Sequence, residues 1–274
     1  MKKSIVLFCC LQIAQIINAQ KAELKISTGY HFSSSSQYFI SEVNSSYNNF
    51  SSRRIDASLG RGLVVSTGIN YSFKSWMGIS MDIAYKKTLP SVSGKTEFNS
   101  VSDYSYSEKT RWRSELAVAC PSLILKIPGK KINPYSKFGL VVPLYSKIKL
   151  QANYSARSFG IPTNNGERTL IFRLKNTIGY AASMGIAPEL NKKISFLAEI
   201  QLLSHSIQAR KSALTSDISN GVERVDTYNV SAKETIYVKK LGNQSYNSNE
   251  PAKQIGFTLP YSSIGFNVGL SIKL

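Results

Sequence analysis

The sequence predicts an all-β fold, a closed antiparallel transmembrane β-barrel of about eight strands. The first observation is the C-terminal segment, where every second residue from Ile264 to Leu274 is apolar and those between are small or polar. Because successive side chains of a strand point to opposite faces, one face suits an apolar medium and the other a polar one. The second observation is that this alternation recurs along the chain. The third is that the connections alternate between long and short, as in membrane barrels.

The predicted strands, in order, cover residues 24–32, 63–73, 77–86, 110–127, 137–144, 178–187, 194–203 and 264–274. Long polar loops are predicted over 33–54, 90–109, 151–168 and 211–253, and short turns over 74–75, 128–131 and 191–193. Segments 222–230 and 234–240 within the last loop offer a ten-stranded alternative. The apolar parity of the fourth strand changes near Pro121, which predicts a β-bulge there. An even number of strands puts both termini on the side of the short turns.

The N-terminus has the features of a secretory signal peptide. Two lysines follow Met1, an apolar run extends from Ile5 to Ile17, and Ala19 is a small residue at the predicted cleavage point. The predicted organisation is therefore a signal peptide over residues 1–19 and a barrel over residues 20–274. Only Cys120 would remain after cleavage, so no disulfide is expected within the mature chain.

Several short segments carry a resemblance to a known group of proteins. They are Trp76-Met77-Gly78-Ile79, Asn133-Pro134-Tyr135 leading into Phe138-Gly139-Leu140, and the closing residues 269–274. With the signal peptide, they make the chain similar to the small outer-membrane β-barrels of Gram-negative bacteria, the porin-like or OmpA-type transmembrane domain group. The resemblance implies an outer-membrane location and contact with the barrel insertion machinery. Such barrels usually end in an aromatic residue, whereas this chain ends in Leu274.

Charged residues on the small, polar strand faces are expected to fill the interior of the barrel. An eight-stranded barrel is just wide enough for its side chains to fill it, and charges buried there must pair. The sequence therefore predicts a lumen closed by polar side chains, with a narrow gated pore as an alternative. The predicted ion network comprises Lys25, Asp82, Glu115, Lys137, Glu199 and Lys273, and Lys86 also lies on a lumen-facing position.

The formal net charge of +18 bears on the partners of the chain. Export argues against nucleic acid, so outer-membrane lipid and anionic lipopolysaccharide are the expected partners, together with an unidentified extracellular ligand. A second interpretation is that the lysines are simply scattered over aqueous loops. Aromatic residues in or beside the loops indicate either ligand binding or an interfacial girdle. They are Tyr47, Phe50, Tyr104, Tyr106, Tyr154, Phe159, Tyr228 and Tyr246.

Catalysis is not supported by the sequence. The only histidines are His31 and His205, and His205 stands between Ser204 and Ser206, whose side chains would point to the opposite strand face. Barrel-type lipid A deacylases use a His and a Ser two positions apart, but Ile207 occupies that position here. No cofactor motif or metal-ligand cluster is apparent. We therefore expect a non-enzymatic barrel for surface binding or envelope integrity, with a lipid-modifying enzyme of the deacylase kind as the alternative.

Overall fold

The computed structural model describes residues 22–34, 37–46, 49–57, 59–99, 104–129, 132–175, 177–241 and 247–274. The predicted signal peptide, residues 1–19, lies outside the described residues. Nearly every described element is a strand. The strands are β1 (Ala22–Ser33), β2 (Gln37–Ser46), β3 (Asn49–Ala57), β4 (Gly62–Lys74), β5 (Met77–Thr88), β6 (Ser91–Asn99), β7 (Tyr104–Lys126), β8 (Ile132–Ser158), β9 (Ile161–Lys175), β10 (Gly179–Pro188), β11 (Ile194–Ser204), β12 (Ser206–Ser219), β13 (Val222–Glu223), β14 (Glu234–Val238), β15 (Ala252–Ile255), β16 (Thr258–Pro260) and β17 (Ser263–Lys273). A 3₁₀ turn, Val225–Thr227, and a helical turn, Val230–Lys233, precede β14.

Eight of these strands close into a ring of antiparallel pairs in the order β1, β4, β5, β7, β8, β10, β11 and β17. β17 pairs with β1 along eleven residue pairs, from Glu23–Lys273 to Ser33–Ser263, and this pairing closes the barrel. The predicted fold class of a closed eight-stranded barrel is therefore confirmed. The ten-stranded alternative is wrong, because residues 222–230 and 234–240 pair outside the ring.

The predicted short turns at 74–75 and 191–193 are confirmed, whereas residues 130 and 131 of the turn predicted over 128–131 lie outside the described residues. The confirmed turns lie at the end of the barrel that also holds Ala22 and Leu274. The backbone N–H of Leu274 donates to the carbonyl of Ala22 there. In barrels of this kind the short turns face the periplasm, so the opposite end is extracellular.

The prediction of long polar loops is wrong, because much of each predicted loop forms β-strand. β2 and β3 form a hairpin, β6 pairs with the first part of β7, and β8 continues to Ser158 before returning as β9. β12 pairs with β9 on one side and with β13, β14 and β16 on the other. The ring thus continues on one side into an extracellular sheet of β6, β7, β8, β9 and β12.

The bulge predicted at Pro121 is also wrong. β7 keeps one parity throughout, with Leu116, Val118, Cys120 and Ile124 all buried inside the barrel. The register shift lies in the neighbouring strand, where Ala117 pairs with Tyr145 but Val118 pairs with Pro143, which leaves Leu144 as the extra residue. The apolar parity of β7 changes because its upper inward residues pack in an apolar core, whereas Leu123 and Leu125 face outward.

Candidate functional site

The outer surface of the ring is an apolar belt. Side chains on alternate positions of all eight strands are exposed and apolar, among them Ile26, Ile69, Met81, Phe138 and Phe266. A belt of this kind around a closed barrel requires lipid, because water would meet an apolar surface far larger than soluble proteins expose. Within the described residues no helix is long and apolar enough to cross a membrane. The apolar belt is the feature that places the ring of strands in a membrane.

Two buried ion pairs occupy the middle of the lumen. Lys25 Nζ lies 3.1 Å from Glu199 Oε2, and Lys137 Nζ lies 3.0 Å from Asp82 Oδ2. The Tyr135 hydroxyl also donates to Glu199 Oε2 at 3.0 Å. These side chains come from four strands of the ring, β1, β5, β8 and β11. The arrangement joins β1 to β11 and β5 to β8 across the barrel interior.

The other two predicted network residues lie elsewhere. Glu115 is half-buried on the outer face, where it pairs in register with Lys87 and Lys147. The predicted lumen position of Glu115 is wrong. Because β7 has no bulge at Pro121, its even-numbered residues point inward along the whole strand, and Glu115 points outward. Lys273 binds Glu189 at 2.7 Å near the periplasmic end, where both side chains are partly exposed.

A polar cavity of about 220 Å³ lies at the periplasmic end of the lumen. Lys25 and Lys137 contribute to its wall, as do the rim pairs Lys273–Glu189 and Lys126–Glu23, the latter with an N–O distance of 2.8 Å. The Lys126–Glu23 pair was not among the ion pairs predicted from the sequence. The signal was present in the sequence, because Lys126 stands between the apolar Leu125 and Ile127 and so lies on the polar face of the predicted strand.

A second polar cluster lies above the ion pairs. His31 Nδ1 is 3.2 Å from Ser263 Oγ and His31 Nε2 is 3.2 Å from Asn267 Oδ1, while Lys86 donates to the same serine at 2.8 Å. The His31 ring lies against Gly265, where any Cβ would overlap it. The arrangement resembles a nucleophile, a base and an orienting amide. Both His31 and Ser263 are fully buried, however, so no substrate reaches the serine oxygen in this structure.

His205 has no such arrangement. Its side chain is buried near the ring of Tyr261, and neither ring nitrogen has a hydrogen-bond partner among the described residues. Ser204 and Ser206 flank it on the opposite parity, as expected from the strand geometry. Neither of these two serines therefore lies on the strand face from which His205 could activate it.

An apolar cluster lies in the lumen above the polar layers, and we call it the plug. Inward residues of the ring strands, such as Leu116, Val141 and Leu203, contribute to it from below. Residues of the extracellular strands complete it, with Trp112 and Phe172 in contact at a centroid distance of 5.1 Å. Its buried members are Leu59, Trp112, Leu116, Val118, Cys120, Val141, Ile148, Phe172, Leu203, Ile207, Ala209, Leu259 and Tyr261.

A hydrogen-bonded cluster around Asp217 holds the extracellular strands together. This buried carboxylate accepts from Arg168 at 3.1 Å and from the Tyr228 hydroxyl at 2.7 Å. The bond to Asp217 raises the pKa of Tyr228 above its usual range. Glu223 accepts the backbone N–H of Asp217 and the Ser216 hydroxyl, and these bonds hold the pKa of its carboxyl below the ordinary value.

Basic residues cluster on the outer face of the barrel, just above the apolar belt. They lie on the side that continues into the extracellular sheet. Lys87 and Lys147 flank Glu115 in register, Arg113 pairs with Lys149, and Arg173 pairs with Lys211. The exposed tyrosines Tyr85 and Tyr145 lie two residues below this level. We call these residues the basic row: Lys87, Arg113, Lys147, Lys149, Arg173 and Lys211. Lys211 is bonded to Glu234 at 2.8 Å.

No group of three or more potential metal-ligating side chains occurs within the residues that the structure describes. The described part of the chain therefore offers no cluster around which a metal centre can be argued.

No protein-family model matches the chain. No curated protein matches it either. Among solved structures, it is similar to Neisserial surface protein A (NspA), with a TM-score of 0.36, 10% identity, and coverage of 92% of this chain and 96% of that one. It is also similar to Ail, the attachment invasion locus protein of Yersinia pestis, with a TM-score of 0.30, 11% identity, and coverage of 92% and 98%. A structure of Ail with the heparin analogue sucrose octasulfate gives the same values.

The geometry of the barrel itself identifies its surroundings. The eight strands close without an edge, the outer face is apolar over the height of the ring, and the inner face carries paired charges. These are the properties of barrels in bacterial outer membranes. The chain is a small outer-membrane β-barrel with an extracellular sheet.

Proposed function

We propose that the chain is a non-enzymatic outer-membrane barrel with a sealed lumen, exported by the signal peptide over residues 1–19, whose extracellular sheet acts in surface binding. The plug is the observation that carries this proposal. Its members come from inward positions of the ring strands and from the extracellular sheet, which supports a closed lumen above the ion pairs. A path for ions would have to cross this apolar cluster, in which a charge has no partner.

Conductance across a planar lipid bilayer tests the sealed lumen. We expect the purified barrel to give no stepwise currents, and the variant Trp112→Ala/Phe172→Ala to give them if the lost volume admits water. Stepwise currents from the unaltered protein would favour the narrow gated pore. Hydrolysis of lipid A or phospholipid that disappears in His31→Ala or His205→Ala would instead establish an enzyme.

A lipid partner is supported by the basic row. Its four exposed members, Lys87, Arg113, Lys147 and Arg173, stand above Tyr85 and Tyr145, the level at which aromatic side chains mark the edge of the bilayer. Two residues along a strand span about 7 Å, so the ammonium and guanidinium groups reach the headgroup region. We infer that they bind phosphate groups of outer-leaflet lipopolysaccharide.

Binding to phosphorylated and dephosphorylated lipopolysaccharide tests this partner. A basic residue near an anionic lipid surface contributes about 1 kcal/mol, so Arg113→Gln/Lys147→Gln should weaken binding of the phosphorylated form by roughly 30-fold. The matched control is Lys192→Gln/Lys193→Gln, which removes two exposed lysines from a periplasmic turn. Equal losses in the two variants would contradict a role for the row.

A further inference from the structure

The hairpin between β8 and β9 ends in an unusual turn. Phe159 has a φ of 51° and Gly160 a φ of 76°, so both central residues lie in the left-handed region that a two-residue hairpin turn of type I′ requires. Asn or Gly normally occupies the first of these positions, because larger side chains are strained there. Phe159 therefore stands where local structure disfavours it.

A second turn in the same sheet provides the comparison. Asn220 and Gly221, between β12 and β13, have φ values of 50° and 81°. They form the same kind of turn with the residues that favour it. Within the described residues, Phe159 and Asn220 are the non-glycine residues with positive φ. The sequence thus uses the favourable residue in one turn and an aromatic residue in the other.

Packing does not explain Phe159. Phe159 is 73% exposed, and Ile161, on the other side of Gly160, is 67% exposed. An aromatic ring and a branched aliphatic side chain therefore project from the end of the hairpin into solvent. We call Phe159 and Ile161 the apolar tip.

The pairing of β7, β8 and β9 fixes the position of the apolar tip, far from the membrane that the ring spans. Ser158 pairs with Ile161 below the turn and with Tyr104 of β7 on the other side. Asn220 fixes the neighbouring hairpin to this one, accepting the backbone N–H of Asn165 at 2.8 Å through its side chain. Ser158 lies eleven residues beyond Lys147 of the basic row, roughly 36 Å along the strand.

The chemistry of the tip fits an anionic bilayer. Between Ser155 and Gly166 the only charged residue is Arg157, which is exposed. Two apolar side chains present too little area for a stable protein interface, which needs about 800 Å² from each partner. A lipid surface needs no shaped pocket, and it accepts aromatic and aliphatic side chains at its headgroup boundary while anionic lipids attract the nearby cation.

We propose that the apolar tip inserts into the surface of a second membrane. This membrane is anionic and lies opposite the outer membrane that holds the barrel. This proposal rests on the extracellular orientation in the proposed function, but not on the sealed lumen. Phe159 is strained in this turn conformation. The conformation is retained because it places the aromatic ring at the outermost point of the hairpin.

Capture of vesicles by the barrel in nanodiscs tests the proposal. The vesicles contain equal parts phosphatidylserine and phosphatidylcholine, with pure phosphatidylcholine for comparison. We expect Phe159→Asn to reduce capture of the anionic vesicles by about tenfold or more, because it removes the ring but restores a favoured turn. The matched control is Val222→Ser, which removes an exposed apolar side chain beside the other turn and should leave capture unchanged.

Three results would overturn the proposal. The first is capture by Phe159→Asn equal to that of the unaltered protein. The second is an unfolding midpoint lowered by Phe159→Asn, which would mean that the ring packs within the protein. The third is pairing of nanodiscs in the absence of vesicles that Phe159→Asn abolishes, which would assign the tip to a second copy of this chain. Conductance of the same purified protein in a planar bilayer reports separately on the sealed lumen.

Discussion

Replacing Glu199 with glutamine isolates the energy of the Lys25–Glu199 ion pair. Glutamine has nearly the volume of glutamate, so the change leaves no cavity, but it leaves the Lys25 ammonium buried without its acid. Both side chains are at most 3% exposed and their charged atoms are 3.1 Å apart. At an effective dielectric constant of 20, two charges at that distance attract by about 5 kcal/mol. Loss of one partner of a buried pair usually costs about 3–5 kcal/mol.

We therefore expect Glu199→Gln to lower the free energy of unfolding by about 3–5 kcal/mol. Urea unfolding in detergent measures this, with the fraction of folded barrel read from its heat-modifiable mobility on gels. Glu115→Gln is the matched control. It removes the same charge from a half-buried position on the outer face, where ion pairs contribute about 1 kcal/mol or less.

A double replacement distinguishes the ion pair from other roles of Glu199. The variant Lys25→Met/Glu199→Leu removes both charges, so it should be much more stable than Glu199→Gln alone. Equal, small losses for Glu199→Gln and Glu115→Gln would refute the reasoning, because Glu199 would then be in contact with bulk water rather than enclosed in the lumen.

Three further outcomes are expected. Phe159→Asn should raise the free energy of unfolding by about 1 kcal/mol, measured by the same urea titration, because it relieves the left-handed strain. The Cys120 thiol, buried in the plug, should resist maleimide in the folded barrel and become reactive in Phe172→Ala, as mass spectrometry would show. The low pKa of Glu223 contributes stability above pH 4.5 that is lost as the pH falls through the folded value. The raised pKa of Tyr228 contributes stability below pH 10 that is lost as the pH rises through the folded value, so proteolysis of the extracellular strands should increase at both extremes while the ring stays folded.

The ring was predictable because each of its strands meets two different media. Lipid on one side and a crowded polar lumen on the other impose a period of two that survives in the sequence, most clearly in β17. The extracellular strands lack that contrast. Segments such as β9 and the first part of β7 carry polar side chains on their outer face and mixed side chains within, so their composition is the same as that of loops.

The lumen pairs show a sharper limit. The partners of Lys25 and Lys137 were assigned to the correct face, because parity alone decides the face. Which carboxylate each lysine meets depends on the relative heights of distant strands, and that register is set by pairings spread around the whole ring. Glu115 was misplaced for a different reason. The change of apolar parity near Pro121 was explained by a bulge in the backbone. The strand is in fact regular there, and the interior of the barrel changes from polar to apolar at that level.

That change of medium connects the plug to the bulge in β8. Below Leu144 the inward residues of β8 are odd-numbered, such as Tyr135 and Lys137, and above it they are even-numbered, such as Ile148. The extra residue lets Leu144 and Tyr145 both face outward at the edge of the bilayer. Above that level it turns Lys147 outward and Ile148 inward, because a shift of one residue exchanges the two faces of a strand. One inserted residue thus supplies a lysine to the basic row and an isoleucine to the plug, so the seal of the lumen and the charge of the outer face depend on the same local feature.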